Sequence, residues 1–195
     1  MTMSWRTAAV VLVVAAALVA GCGTTPEPVF YTLGAEAGPA RAGTSSLSIV
    51  VGPVTLPDAI DRPQLVISTT GNRVQIEEFH RWAEPLKTEI PRLVAAYLGR
   101  QLGTGNTASS SQLAIAEPDY RVVIDVQRFD SRRGDAVVVE TLWTVRARSG
   151  QVRTGHTRAQ ERVSDASYDA LVAAHGRALA TVSQEIGNAI QVLQR

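Results

Sequence analysis

The feature that most constrains the fold is a block of period-two hydrophobicity between Tyr120 and Val163. Apolar side chains occupy alternate positions in its first part, at Tyr120, Val122, Ile124 and Val126, and in its second part, at Val137, Val139, Trp143 and Val145. This alternation is typical of strands with one buried and one solvated face. Gly150 then turns the chain into a more polar third segment. We predict an antiparallel meander whose last strand lies at the edge.

The hydrophobic period changes to that of a helix in two places. After Glu84 the apolar positions are Leu86, Ile90, Leu93, Val94, Tyr97, Leu98 and Leu102. After Ser167, a candidate N-cap, they are Leu171, Ala178, Leu179, Val182, Ile186, Ile190 and Leu193. Both spacings predict amphipathic helices. In the first helix, Pro91 predicts either a kink or the true start of the helix. In the second helix, His175 lies on the apolar stripe, and we expect it at the rim of the core.

The remaining segments before the first helix read as short strands and loops. Residues 47–51 are strand-like, and the prolines that follow predict that this segment leaves the sheet or lies at its edge. Residues 64–68 and 73–77 predict a hairpin, and residues 34–45 and 103–112 predict loops. The order of strands, helix, strands and helix predicts one α+β domain. We expect an antiparallel sheet with both amphipathic helices packed on one face.

The N-terminus has the organisation of an export signal. Arg6 precedes an unbroken apolar run at residues 8–20. That run is shorter than the roughly 20 residues that a helix needs to cross a bilayer. It ends in Leu18-Val19-Ala20-Gly21-Cys22, which resembles the lipobox of bacterial lipoproteins. We predict that residues 1–21 are removed and that Cys22 carries an S-linked diacylglycerol and an N-linked acyl chain such as palmitate.

Cys22 is the only cysteine of the chain. A lone cysteine in an exported protein is also compatible with a free thiol or an intermolecular bridge, but its position after the apolar run favours lipidation. Residue 23 is glycine rather than the aspartate that marks inner-membrane retention, which favours the periplasmic face of an outer membrane. The mature chain is then a lipidated leash at residues 22–28 and a domain at residues 29–195.

Charge and motifs exclude several classes of function. Loss of Arg6 with the signal leaves 18 basic and 18 acidic residues, which gives no support for a nucleic-acid partner or a polybasic grip on lipid. His80, His156 and His175 do not have metal-ligand spacing, and we expect the first two in solvent. The sequence contains no nucleophile elbow, phosphate loop or dinucleotide fingerprint. We predict no enzyme and no cofactor besides the lipid on Cys22.

Two stretches are not explained by periodicity, residues 51–66 and residues 78–86. They contain Leu56-Pro57, Asp61-Arg62-Pro63-Gln64 and Trp82-Ala83-Glu84-Pro85-Leu86. At these residues the chain resembles the PqiC (YmbA-type) family, also described as ABC-type transport auxiliary lipoproteins. The likeness extends more weakly from Phe30 to the closing helix.

The resemblance implies a non-enzymatic accessory subunit of a transport system that contains an MCE-domain protein and moves lipid between membranes, which maintains membrane integrity. It further implies that the partner is the MCE-domain protein and that several copies form a ring. The candidate partner-binding residues are Asp61, Arg62, Trp82, Glu84 and Pro85.

Structural roles for the same residues stay open at this point. Asp61 and Arg62 can form a turn with an internal ion pair. Trp82 can fill the gap between hairpin and helix, and Glu84 can complement the helix N-terminus. Two other functions also remain, a lipid-carrying module with an acyl-chain pocket and a structural assembly lipoprotein of an envelope complex.

Overall fold

The computed structural model describes residues 26–34, 45–110 and 117–195. The predicted signal peptide, Cys22 and residues 35–44 lie outside the described residues. The described part contains eight strands and two helices: β1 (Val29–Tyr31), β2 (Ile49–Thr55), β3 (Gln64–Ser68), β4 (Val74–Trp82), α1 (Leu86–Leu102), β5 (Thr107–Ser109), β6 (Tyr120–Ser131), β7 (Ala136–Ala147), β8 (Val152–Arg162) and α2 (Tyr168–Leu193).

The larger sheet has five strands in the order β5-β2-β6-β7-β8. Strands β6, β7 and β8 form the predicted antiparallel meander, and β8 lies at the edge as expected. Trp143 on β7 pairs with Gly155 on β8, where a Cβ atom would lie 2.1 Å from the indole ring. The indole Nε1 donates to Thr157 Oγ1 at 2.9 Å. Glycine at position 155 therefore leaves the space that the ring occupies.

Strand β2 corrects the prediction of a wholly antiparallel sheet. It runs parallel to both β5 and β6 and lies between them, so it is not an edge strand. Its pairing with β6 shifts register between Val51 and Val54, which leaves Gly52 and Pro53 out of the regular ladder. This irregularity accommodates a proline inside the sheet, because Pro53 then has no ladder bond to donate.

Both helices pack on one face of the five-stranded sheet, as predicted. Helix α1 lies against β2 and β5, α2 lies against β7 and β8, and the two helices contact each other. The interface is fully buried on the sheet side at Val122, Val137, Val139 and Val145, and on the helix side at Ile90, Val94, Leu98, Leu179, Val182 and Ile186. The α+β single domain is confirmed. Among the described residues, neither helix has the length and apolarity needed to cross a membrane.

Helix α1 starts before its internal proline. Pro85 is the N-cap residue, and the helix continues through Pro91 to Leu102, so Pro91 does not mark the beginning. Gly103 ends the helix with a left-handed conformation (φ 64°). Part of the predicted loop that follows forms β5, which pairs with β2.

A buried carboxylate connects α1 to the end of the first strand. Glu89 Oε2 accepts a hydrogen bond from the backbone N–H of Leu33 at 3.1 Å, and Glu89 is 2% exposed. Burial raises the pKa of Glu89, since a charged carboxylate loses its hydration there. The contact fixes the position at which the N-terminal segment reaches the helices.

The smaller sheet has three strands in the order β1-β4-β3. Strands β3 and β4 form the predicted hairpin, although β4 extends to Trp82. Strand β1 pairs in parallel with β4, with Tyr31 beside Trp82. The N-terminal strand β1 therefore belongs to the smaller sheet, and β4 of that sheet leads directly into α1.

Candidate partner-binding site

The two stretches that carry the family resemblance meet where β4 leads into α1. The loop before β3 turns at Pro57, whose carbonyl accepts from the backbone N–H groups of Ile60 (3.0 Å) and Asp61 (3.2 Å). The loop ends at Pro63, whose carbonyl accepts from Trp82 N–H at 2.7 Å. This last hydrogen bond joins one stretch to the other. The structure therefore places the two stretches side by side at this junction.

Asp61 pairs with Lys87 rather than with its neighbour. Its carboxylate lies 2.5 Å from Lys87 Nζ, and the two side chains are 33% and 49% exposed. The prediction of an internal ion pair between Asp61 and Arg62 is therefore wrong. An exposed ion pair contributes only about 0–1 kcal/mol to stability. Its structural effect is to hold the loop against the first turn of α1.

Arg62 is half-buried beside this ion pair. Its backbone N–H donates to Ile60 O at 2.9 Å. Its Nε is buried and has no hydrogen-bond partner among the described residues. Buried donors without a partner are uncommon in folded proteins and call for an explanation. Arg62 Nε is thus an unsatisfied buried donor in the loop that carries the Asp61–Lys87 ion pair.

Trp82 belongs to the core rather than to the exposed surface. It is 5% exposed and meets Phe129 and His175 edge-on, with ring centroids 6.3 and 6.4 Å apart. It fills the space between the hairpin and the helices, which is the structural role that the sequence left open for this residue. A partner docking on the outer surface does not reach this ring in the described conformation.

Glu84 and Pro85 form the start of α1. Glu84 pairs with Arg92 at 3.0 Å rather than with backbone N–H groups, and the Pro85 carbonyl accepts from Thr88 N–H at 2.8 Å. Lys87 and Arg92 are the residues of this region that sequence reasoning missed. The only signal for Lys87 was that it is the sole lysine of the chain. We name the junction surface by its six residues: Asp61, Arg62, Glu84, Pro85, Lys87 and Arg92.

His175 is fully buried, which corrects its expected place at the rim of the core. Its ring stacks on Phe129 with centroids 4.0 Å apart, and its Nε2 lies 2.8 Å from Ser131 Oγ. Burial lowers the pKa of His175 to about 3, because the protonated imidazole loses its hydration. His175 Nδ1 has no hydrogen-bond partner among the described residues.

His80 lies in an aromatic cluster, whereas the sequence placed it in solvent. Its Nδ1 lies 2.8 Å from Tyr31 Oη, and its ring stacks on Tyr168 at 3.6 Å. Arg133 lies over the same Tyr168 ring at 4.1 Å. Burial, with a hydrogen bond to Glu77, raises the pKa of Tyr168 to about 12. The cluster ties β1 and β4 to the start of α2.

His156 lies on the face of the larger sheet that the helices do not cover, and it is exposed to solvent as predicted. It is exposed, and its Nε2 lies 2.7 Å from Glu140 Oε1. Across residues 26–34, 45–110 and 117–195, no three or more histidine, cysteine or acidic side chains are grouped to hold a metal ion.

A cavity of about 350 Å³ lies between β1 and the two helices. Aromatic and small apolar residues line much of it, including Tyr31, Tyr97, Val172 and Gly176. Asp169 and Arg177 also line it. Its walls fit an apolar chain with a polar end better than they fit a fully charged ligand.

The sequence model of one family, the ABC-type transport auxiliary lipoprotein component, matches residues 31–187. The chain belongs to this family. The match includes both motif stretches and every strand and helix from β2 to the greater part of α2, which confirms the resemblance found at the Asp-Arg-Pro-Gln and Trp-Ala-Glu-Pro-Leu elements.

Two crystal structures share the fold of this transport auxiliary lipoprotein. An uncharacterised protein superposes with a TM-score of 0.68 and 21% identity, covering 85% of this chain and 99% of its own. A DUF330-family protein from Xanthomonas campestris gives a TM-score of 0.62 and 21% identity, covering 88% of this chain and 100% of its own. A comparison with curated protein sequences finds no match.

The transport auxiliary lipoproteins are not a known enzyme family. Ser131 and His175 are hydrogen bonded, but Ser131 is 5% exposed and His175 is 0% exposed. A catalytic histidine needs a pKa near the working pH and an orienting partner. His175 has neither, so the pair serves packing.

Proposed function

We propose that this lipoprotein is the outer-membrane-anchored accessory subunit of an ABC-associated transport system, on which an MCE-domain protein docks to move lipid between membranes. One observation carries the proposal: both motif stretches of the family resemblance converge on the junction surface. The lipid on Cys22 supplies the membrane attachment. The resulting connection between two membranes is the means by which the chain supports membrane integrity.

The chemistry of the junction surface suits a protein partner. It contains two partly exposed ion pairs, Asp61–Lys87 and Glu84–Arg92. Such surfaces give an interface its specificity and orientation more than its affinity. Arg62 adds a half-buried guanidinium, and arginine is among the residue types enriched at energetic hot spots.

The first test is affinity purification of the lipidated chain from its own membranes after gentle crosslinking, with mass spectrometry of the recovered proteins. We expect the MCE-domain protein of the same system. Arg62→Gln should lower its recovery about tenfold, since losing one hot-spot contact costs at least about 1.4 kcal/mol.

The matched control is Arg153→Gln, which removes an exposed cation from edge strand β8 and should leave recovery unchanged. Recovery of an outer-membrane barrel or secretin instead would support the assembly-lipoprotein alternative. Equal recovery with Arg62→Gln and wild type would contradict a docking role for the junction surface.

The lipid-carrying module is a second candidate because of the 350 Å³ cavity beside β1. Native mass spectrometry of the purified chain tests it through co-purified lipid, and the same spectrum gives the number of copies in the predicted ring. Gly176→Leu narrows the cavity, so lipid that binds the wild-type chain but not this variant would favour the carrier function. A spectrum without bound lipid would contradict the carrier function and leave docking as the remaining candidate.

A further inference from the structure

The three-stranded sheet carries most of the exposed large apolar side chains of the described residues. Five of the nine lie in β1 and β4, and we call these five the apolar edge: Val29, Phe30, Val74, Ile76 and Phe79. Phe30 is 58% exposed and Val74 is 60% exposed. Exposed apolar side chains concentrated on two paired strands indicate an interaction site more strongly than single exposed side chains do.

The direction of β1 brings the lipidated leash to the same part of the domain. Strand β1 is parallel to β4, and Val29 pairs with His80. The chain before Val29 therefore arrives from the side on which β4 carries Phe79, Ile76 and Val74. Cys22 precedes Val29 by seven residues, a span of at most about 25 Å. The anchor and the apolar edge must lie close to the same membrane.

The two exposed aromatic residues lie on the paired strands β1 and β4. Phe30 pairs with Arg81, so these two side chains project from the same side of the strands, and Phe79 lies exposed in the irregular segment of β4 between Glu77 and Arg81. Tyr31, His80 and Trp82 project from the opposite side, where they make the core and cluster contacts described above. The exposed side of these strands therefore carries aromatic rings beside Arg81, which pairs with Glu78, and exposed aromatic rings suit a lipid headgroup boundary.

We infer that the apolar edge inserts into the surface of the leaflet that holds the Cys22 lipid, and so fixes the orientation of the domain on its membrane. The inference rests on the lipid anchorage that the proposed function includes. Glu27, Glu77 and Glu78 leave no excess of cations beside Arg73 and Arg81 around the edge, so burial of apolar surface rather than attraction to anionic lipid drives insertion. Insertion should therefore be insensitive to salt concentration.

The test uses the single cysteine of the chain. With Cys22 acylated, Phe30→Cys and Phe79→Cys each introduce one free thiol for a nitroxide spin label. The labelled lipidated protein is placed in phosphatidylethanolamine and phosphatidylglycerol vesicles, and collisions with oxygen and with a water-soluble nickel chelate report depth. Leu142→Cys is the control, because Leu142 is 46% exposed on the open face of the larger sheet.

We expect at least a threefold higher ratio of oxygen to nickel collisions at positions 30 and 79 than at position 142, in both low and high salt. Ratios equal to that at position 142 would overturn the orientation while leaving the anchor in place. Labels shielded from both reagents would overturn it in favour of a protein partner or a second copy. A reactive Cys22 thiol in the unsubstituted protein would overturn the anchor and the orientation together.

Discussion

Replacing Trp82 by alanine lowers the free energy of unfolding of the mature chain by about 3 to 5 kcal/mol. The indole is 5% exposed and packs edge-on against Phe129 and His175. Its removal leaves a cavity where the hairpin, β6 and α2 meet, and the surrounding backbone is held by hydrogen bonds that limit its collapse. Denaturant unfolding followed by far-UV circular dichroism measures the change.

Two variants of the same strand make this result specific. Trp82→Phe keeps an aromatic ring in the cavity and should cost less than half as much. Phe79→Ala truncates a ring that is 38% exposed three residues earlier and should cost less than about 1 kcal/mol. A Trp82→Ala cost no larger than that of Phe79→Ala would mean that the indole is not part of the core.

The mature chain should lose stability in mild acid because of His175. Burial lowers the pKa of His175 to about 3 from an ordinary value of 6.5, so below pH 6.5 the unfolded chain binds a proton that the folded chain does not. The stabilising contribution of the neutral imidazole is therefore complete above pH 6.5 and is lost as the pH falls toward 3. The loss amounts to roughly 1 kcal/mol per pH unit over this range.

The variant His175→Gln isolates this effect. Glutamine can still hydrogen bond to Ser131 but does not titrate. The difference in the free energy of unfolding between wild type and variant should therefore shrink steadily from pH 7 to pH 4. Acidic groups such as Asp119, whose pKa is lowered by hydrogen bonds from Ser48, act equally in both proteins and cancel. His156→Gln, an exposed histidine, is the control. A difference independent of pH would show that His175 is not buried in its neutral form.

The alternation at residues 120–163 predicted the meander because it reports which side of each strand is buried. It does not report which neighbour a strand pairs with or in which direction. Strand β2 shows the consequence: its prolines pointed to an edge, whereas its place inside the sheet between β5 and β6 depends on a register shift at Gly52 and Pro53. Parallel pairing between distant segments leaves no local signal in the sequence.

His175 illustrates a second limit. Its position on the apolar stripe of α2 was visible, and a polar side chain there suggested the rim of the core. Full burial requires Ser131, 44 residues earlier, to face Nε2 and Phe129 to cover the ring. Neither partner can be identified from the period of a helix, because each contributes through tertiary packing.

The candidate site was predicted in part. The two motif stretches were singled out, and the Pro63–Trp82 hydrogen bond brings them together. Sequence alone could not separate exposed members such as Asp61 from the core residue Trp82, because both lie in equally distinctive stretches. The pairing of Asp61 with Lys87 was also hidden, since Asp61 lies in a loop and Lys87 lies 26 positions later in the first turn of α1.

Recruitment of an MCE-domain protein to vesicles that carry the lipidated chain tests the proposed docking function most directly. Flotation of phosphatidylethanolamine and phosphatidylglycerol vesicles separates bound from free protein. We predict saturable recruitment to vesicles with the wild-type chain, about tenfold weaker recruitment with Arg62→Gln, and none to bare vesicles. Equal recovery of the MCE-domain protein on bare and lipoprotein-bearing vesicles would contradict the docking function.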